Sequence, residues 1–174
     1  MSATTSDAVG QFAAEAVHFR AWARDETDSG ELAVRKALIR IGALYFAALQ
    51  LPPEWSDELA DASDTERISG DEKRAVYQRA AARLPFTDYA RVFDPFVLPP
   101  EEPIIGSISD DVADIYDDVV SGLVEYEAGH TARALWQWAF CFRMHWGRHA
   151  TDAIYALHIW LSENAWDQFH PNEP

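Results

Sequence analysis

Apolar residues recur every three to four positions along most of this sequence, and this spacing limits the possible folds more than any other feature. A helix buries such a stripe on one face, whereas a half-buried strand needs strict alternation, which we find nowhere. The clearest stripe consists of Val112, Ile115, Tyr116, Val119, Leu123 and Tyr126. The pattern predicts an all-α fold, a single-domain helical bundle of about six helices.

Helix boundaries follow from prolines, glycines and capping residues. The predicted helices span residues 7–24, 31–51, 71–84, 109–128, 131–146 and 148–166, with a further short turn at 55–60. We expect Ser109 to cap the fourth helix and Gly129 to end it. The second helix is apolar around so much of its circumference that we expect it to be central. Gly147 either breaks the last two helices or lies inside one bent helix.

Four prolines interrupt the helical pattern in the middle of the chain. They are Pro95, Pro99, Pro100 and Pro103, and they predict a proline-rich connection over residues 94–108 that crosses the surface as an extended strap. Residues 1–6 are small and polar, and we expect them to be disordered. Neither half of the chain looks complete by itself, so residues 1–174 are predicted to form one domain.

One pair of helices has the spacing of a tetratricopeptide-like hairpin. Gly122, Gly129, Ala134 and Trp138 fall at positions where small residues let two helices approach and an indole ring fills the gap. Only one such unit is present, so the spacing predicts a single helical hairpin and no repeat array.

The charge of the chain excludes several classes of partner. It has 29 acidic and 14 basic residues, with a net charge of −15. Such a chain repels phosphate backbones and anionic membranes, so we expect no binding to nucleic acid or membrane. The single cysteine excludes an internal disulfide, and the N-terminus lacks the features of a signal peptide. We therefore expect a cytoplasmic protein.

An acidic stretch without bases forms the first candidate site. Between Val92 and Ala132 there are ten acids and no Lys or Arg, and five of the acids are Asp110, Asp111, Asp114, Asp117 and Asp118. These carboxylates are solvated or paired, face a basic partner, or hold a divalent cation. We expect Asp114 to pair with Arg143, because Arg143 lies among apolar residues and a buried charge needs a partner.

A second candidate site combines the residues Cys141, His145, His149 and Asp152. On a continuous helix they share one side, and histidines four residues apart can chelate zinc. However, the intervening Trp146, Gly147 and Arg148 lack the glutamate of zinc proteases, and Arg148 repels a cation. The alternative is that the histidines are bonded to backbone or carboxylate groups near a helix junction.

Tryptophans supply a third candidate, and signals for common catalysis are missing. Trp136, Trp138, Trp146 and Trp160 form either core or an interaction hot spot. The sequence has no glycine-rich phosphate loop and no nucleophile elbow, and Cys141 lies in an apolar run where thiols are usually inert. We predict no catalytic residue and no cofactor, and these absences favour a protein that is not an enzyme.

The residues from Val92 to Leu157 resemble a known family. The motifs, in order, are Val92-Phe93-Asp94-Pro95, Ile108-Ser109-Asp110-Asp111, Ala113-Asp114-Ile115, Gly122-Leu123, Tyr126, Ala128-Gly129, Ala134-Leu135-Trp136, Trp138, Trp146-Gly147 and Ala156-Leu157. This order resembles the bacterial family catalogued as domain of unknown function 5063. The resemblance implies a small bacterial helical protein and no particular activity, and His145 and His149 are not part of the pattern.

Two hypotheses for function follow. The favoured one is a non-catalytic interaction module that presents an acidic and aromatic face, with Asp110, Asp111, Asp114 and Trp138, to a basic protein partner. The alternative is a small-ligand or metal-binding protein or an enzyme, with its site near His145, Trp146, Arg148 and His149.

Overall fold

A computed structural model describes residues 3–52 and 67–165 of the protein, with side chains from Asp7 onwards. The predicted helical bundle is confirmed. Its helices are α1 (Ala3–Asp25), α2 (Glu31–Ala48), α3 (Gly70–Arg83), α4 (Ile108–Glu127), α5 (Thr131–Cys141) and α6 (Gly147–Asn164). Helix α1 thus includes residues 3–6, which we expected to be disordered, and the turn predicted at 55–60 lies outside the described residues. Within those residues, no helix is long and apolar enough to cross a membrane.

Helix α4 occupies the centre of the bundle. It buries 14 of its 20 residues and packs against α1, α3, α5 and α6. The prediction that α2 is central is wrong. That helix packs small residues such as Ala33 and Ala37 against its neighbours, while Leu32, Ile39 and Phe46, spaced seven apart, are exposed. A wide apolar surface therefore does not mean that every side of a helix is covered.

A β-hairpin precedes α4, and the expectation of no strands is wrong here. Strand β1 (Asp88–Arg91) pairs antiparallel with strand β2 (Ile104–Ser107), and residues 92–103 connect them. Each strand has only four residues, too few for an alternating pattern to stand out. The last five residues of the predicted strap, 104–108, therefore form strand β2 and the first residue of α4.

The β-hairpin also explains why α4 does not begin as predicted. Strand β2 runs directly into the helix, with the Ile108 N–H donating to the Thr87 carbonyl at 3.0 Å. Ser107 occupies the capping position, and Ser109 lies buried in the first turn with no hydrogen-bond partner for its hydroxyl. The prediction that Ser109 caps α4 is wrong, because the strand pairing sets where the helix starts.

The other end of α4 agrees with its prediction. Gly129 has a φ of +86°, and the following His130 N–H donates to the Glu125 carbonyl at 2.9 Å. This bond closes the helix in a Schellman arrangement. The α4–α5 hairpin is also present: the Trp138 indole N–H donates to the Val119 carbonyl at 2.9 Å, and a Cβ on Gly122 would overlap that ring.

Helices α5 and α6 form one continuous helix with a π-helical turn at Phe142–Trp146. Gly147 has helical φ and ψ of −62° and −34°, so it does not break the helix. A Cβ at this position would overlap the Phe142 carbonyl oxygen. The glycine is therefore present because the wider π turn brings a carbonyl against its Cα. Single π turns in long helices often occur at functional sites.

Candidate metal centre

Two aspartates of α4 face two histidines of the α5–α6 helix. His149 Nδ1 lies 2.8 Å from an Asp111 oxygen, and His145 Nδ1 lies 2.7 Å from an Asp118 oxygen. The higher-numbered aspartate meets the lower-numbered histidine, so the two helices run antiparallel here. Asp111 and Asp118 are buried, 4% and 2% exposed. Since ionised carboxylates only accept hydrogen bonds, each Nδ1 donates its proton to its aspartate.

This pairing leaves the Nε2 atoms of the two histidines as the nitrogens available to a ligand. Asp114, one turn along α4 from Asp111, places a carboxylate oxygen 3.4 Å from His149 Nε2. Asp114, His145 and His149 each offer one donor atom, and the three atoms lie within 4.8 Å of one another. A histidine that binds a metal through one nitrogen commonly donates its other N–H to a carboxylate.

The donor separations suit a small divalent cation. Metal–ligand bonds of about 2.0–2.2 Å at tetrahedral angles place donors roughly 3.3–3.6 Å apart. The His149–Asp114 pair already has this separation at 3.4 Å, and one donor atom of each of the three residues lies within 4.8 Å of the others. His145 has room to move closer, because its side chain is 47% exposed.

Residues from α3, from the segment before it and from strand β1 hold the aspartates in place. Lys73 donates to the second oxygen of Asp114 at 2.5 Å. Arg67 donates to Asp118 at 3.0 Å and also lies 2.9 Å from Asp117. The Tyr89 hydroxyl donates to Asp111 at 2.6 Å. Each acid of the site is thus oriented by a donor outside the two facing helices.

A glycine in strand β2 makes the Tyr89 contact possible. Gly106 pairs with Tyr89 across the hairpin, and a Cβ on Gly106 would lie 2.6 Å from the phenol ring. The missing side chain leaves room for the phenol ring over Gly106, from where its hydroxyl reaches Asp111. The β-hairpin therefore contributes directly to the site.

The pKa values of both members of the His149–Asp111 pair are raised, but for different reasons. Burial raises the pKa of the Asp111 carboxyl, although hydrogen bonds from His149 and Tyr89 oppose the increase. The hydrogen bond to Asp111 raises the pKa of the His149 imidazole. Burial likewise raises the pKa of the Tyr89 hydroxyl, so Tyr89 remains a hydrogen-bond donor.

Two adjoining cavities open beside the histidines. The smaller, of about 130 Å³, is lined by His145, His149 and Met144 together with Arg91, Phe93 and Arg148. The larger, of about 580 Å³, shares Arg91, Phe93 and Arg148 and continues between the hairpin connection and α6. The site is therefore open on one side to a ligand of small-molecule size.

Comparison with known proteins places the chain in a family. The family model described as domain of unknown function 5063 matches residues 3–163. This chain belongs to that family. The match extends the resemblance seen from Val92 to Leu157 over almost the whole chain.

One solved structure similar to this family member is a crystal structure of protein BF1032 from Bacteroides fragilis. The two share 24% sequence identity with a TM-score of 0.67, over 87% of this chain and 90% of the other. This similarity establishes a shared fold. The comparison with curated proteins found no match.

The predicted histidine cluster is assembled, but with different partners. Cys141 lies outside the group of donors: its sulfur accepts a hydrogen bond from Gln137 at 3.3 Å, and burial raises its pKa to about 12. Asp152 is bonded to Arg91 at 2.7 Å. Asp114, which we assigned to the acidic stretch, takes their place. The two sites that we considered separately are one site.

The predicted Asp114–Arg143 pair is wrong. Asp114 is bonded to Lys73 and His149, whereas Arg143 is exposed. Arg143 lies in the exposed part of the π turn, between the partly buried Phe142 and the buried Trp146. Of the other acids named above, Asp110 is exposed.

The tryptophans are divided between core and periphery. Trp138 and Trp146 are fully buried and contact the ring of Phe12, so they are core residues. Trp136 and Trp160 are partly buried. Of the four residues predicted to form the acidic and aromatic face, Asp111 and Trp138 are buried, Asp114 is partly buried and Asp110 is exposed.

Sequence reasoning missed Lys73, Arg67, Tyr89 and Arg91, which reach the site from other elements. A signal for the central pairing was nevertheless present. Asp111, Asp114 and Asp118 are spaced three and four apart and so share one face of α4, while His145 and His149 are spaced four apart. Two such faces on neighbouring helices predict a carboxylate–histidine site.

Proposed function

We propose that this protein binds a divalent transition metal through Asp114, His145 and His149. The observation that carries the proposal is the double carboxylate–histidine pairing. Asp111 and Asp118 each hold one histidine by Nδ1, which leaves both Nε2 atoms for a metal, and the His149 Nε2 atom lies 3.4 Å from an Asp114 oxygen. Two imidazoles and one carboxylate suit Zn²⁺ or Fe²⁺ better than Ca²⁺ or Mg²⁺, which prefer oxygen ligands alone.

Three protein ligands leave at least one coordination position for water or a small ligand. Structural zinc sites normally have four protein ligands, whereas catalytic and ligand-binding sites keep a position open. The adjoining cavities give that position access to solvent. We therefore propose a metal site that acts on or senses a small ligand in the cytoplasm.

Surrounding charge supports a bound cation. Asp111, Asp118 and Asp114 bring three carboxylates to the two histidines, while Lys73 and Arg67 contact the other oxygens of Asp114 and Asp118. Without a metal, a protonated His149 between Asp111 and Asp114 satisfies the same contacts. A titration with Zn²⁺ distinguishes metal binding from this protonated arrangement.

The test is a titration of metal-free protein with Zn²⁺, followed by Co²⁺ substitution and its visible spectrum. We expect one Zn²⁺ per chain, and a Co²⁺ spectrum of four- or five-coordinate geometry. His149→Ala and Asp114→Asn should each weaken Zn²⁺ binding by about 10–100-fold or more.

The matched control is His158→Ala, because His158 is an exposed histidine on the same helix. This substitution should leave Zn²⁺ affinity unchanged. Equal affinities for His149→Ala and His158→Ala, or no saturable binding by the unmodified protein, would refute the metal site.

A second candidate is the interaction module with a basic protein partner. It is supported by the net charge of −15 and by exposed acids, such as Asp110 in the first turn of α4 and Glu101 and Glu102 in the hairpin connection. Binding through these acids should weaken as salt increases, because exposed charges are screened. Pull-downs that retain the same partners at low and high salt would contradict it.

A further inference from the structure

The groove beside the histidines combines an apolar wall with an unneutralised arginine. Its wall includes Val92, Phe93, Pro103 and Tyr155, and it has a volume of about 580 Å³. That volume falls within the range of small-molecule sites, which are mostly apolar with a few polar groups. The feature that needs explanation is the positive charge at the junction of the two cavities.

Arg148 lies at this junction, because it lines both the groove and the smaller cavity at His145 and His149. One of its N–H groups donates to the Phe93 carbonyl at 2.9 Å, and the guanidinium lies 5.1 Å from the centre of the Phe93 ring. No carboxylate of the described residues lies within ion-pair distance of it. Its other donors remain available.

The second arginine of the groove behaves differently. Arg91 is paired with Asp152 at 2.7 Å, so its charge is already compensated. In a protein with twice as many acids as bases, most cations should have a carboxylate partner. Arg148 instead has its side chain oriented by Phe93, with free N–H groups between the groove and the candidate metal centre.

We infer that the groove binds a small organic anion that carries an apolar ring. The ring lies against Phe93 and Tyr155, and the anionic oxygens lie between Arg148 and the metal held by Asp114, His145 and His149. This inference rests on the proposed metal site for one of the two contacts to the anion. The Arg148 contact and the apolar wall do not depend on it.

Both halves of the ligand are required by the chemistry of the groove. A guanidinium forms its strongest hydrogen bonds with carboxylate or phosphoryl oxygens, which can accept two of its N–H groups. An open metal position accepts the same oxygens. An inorganic anion leaves the apolar wall uncovered, and a neutral ring leaves the arginine unpaired.

The experiment measures binding of phenylphosphonate by calorimetry, with inorganic phosphate and benzyl alcohol as the two half-ligands. Phenylphosphonate should bind the Zn²⁺-loaded protein with a Kd on the order of 1 mM or tighter, and each half-ligand at least about tenfold more weakly. Benzoate in place of phenylphosphonate distinguishes a carboxylate ligand from a phosphoryl ligand.

Arg148→Gln should weaken phenylphosphonate binding about tenfold or more, because it removes charge-assisted hydrogen bonds. Its matched control is Arg143→Gln, since Arg143 is an exposed arginine of the adjacent π turn that lines neither cavity. Tyr155→Ser should weaken phenylphosphonate binding and leave phosphate binding unchanged.

Equal losses for Arg148→Gln and Arg143→Gln, or phosphate binding as tight as phenylphosphonate binding, would overturn the inference. Failure of the metal site has a separate signature. In that case Zn²⁺ leaves the phenylphosphonate affinity unchanged, while the loss caused by Arg148→Gln persists in metal-free protein and supports the groove.

Discussion

Arg83, at the end of α3, is a buried arginine of this protein, only 8% exposed. Its guanidinium donates to the Trp22 carbonyl at 2.8 Å, to the Asp28 carbonyl at 3.0 Å and to the Asp28 carboxylate at 3.3 Å. It also lies 5.0 Å from the centre of the Trp22 ring. Arg83 thus joins α3 to the connection between α1 and α2.

Substitutions of the buried Arg83 and of the exposed Arg143 should differ strongly in their effect on the free energy of unfolding. Arg83→Met leaves two carbonyls and a carboxylate without their donor and should lower the free energy of unfolding by about 2–4 kcal/mol. Arg143→Ala should lower it by less than about 0.5 kcal/mol, because Arg143 is exposed. Urea denaturation of both variants measures the difference. Similar losses would mean that Arg143 has a buried partner.

Asp28 should give a measurable pH dependence. The hydrogen bond from Lys36 lowers the pKa of the Asp28 carboxyl, and Arg83 acts in the same direction. A carboxyl with a lowered folded-state pKa stabilises the protein above its unfolded-state pKa, near pH 4, and this contribution is lost as pH falls through the folded-state value.

Asp28→Asn should therefore be less stable than the unmodified protein at pH 7, and the difference should shrink as pH falls from about 5 to below 3. Chemical denaturation at several pH values tests this expectation. A stability difference that stays constant over that range would show that the charge of Asp28 is not responsible.

At the scale of elements, the π turn decides where the histidines lie. An α-helical turn in its place would rotate His145 and His149 relative to the residues before Phe142, because a π turn contains one more residue. Gly147 allows this turn, since any side chain there would meet the Phe142 carbonyl. The site thus depends on a glycine that does not touch the proposed metal.

Gly147→Ala should lower the free energy of unfolding by about 1–3 kcal/mol, as overpacking does in other cores. The matched control is Gly42→Ala in α2, where an added Cβ meets nothing within 4 Å. That substitution should stabilise the protein by up to about 1 kcal/mol. Thermal unfolding of both variants tests the pair, and a stabilising Gly147→Ala would contradict the strain at the π turn.

At the scale of the whole molecule, a metal bound between α4 and α6 should stabilise the fold by mass action. Free Zn²⁺ at about 100 times its Kd adds about 2.7 kcal/mol, which corresponds to an increase in Tm of about 5–10 °C for a domain of this size. Scanning calorimetry should show one cooperative transition, as the prediction of a single domain requires.

Addition of a chelator should reverse the increase in Tm. Asp114→Asn protein should show little response to Zn²⁺, while His158→Ala protein should respond fully. An unmodified protein whose Tm is the same with Zn²⁺ and with chelator would contradict the metal site at this scale as well.

The sequence by itself determined the helical class, the family and several helix ends, because these depend on periodicity and on local chemistry. Gly129 is one example, since its αL conformation follows from its position after a helix. Other local predictions were wrong. The predicted cap at Ser109 is one of them, because strand β2 runs directly into α4 and its pairing sets where the helix begins.

Only the tertiary structure decided the partners. Periodicity shows that Asp114 lies on one face of α4 but not which helix packs against that face. Packing therefore decided that the partners of Asp114 are Lys73 and His149 and not Arg143. The same holds for Trp138 and Trp146, whose burial depends on α1. A stripe of residues shows which face of one helix is apolar or polar. A site also depends on how several helices pack against one another, which the whole core determines.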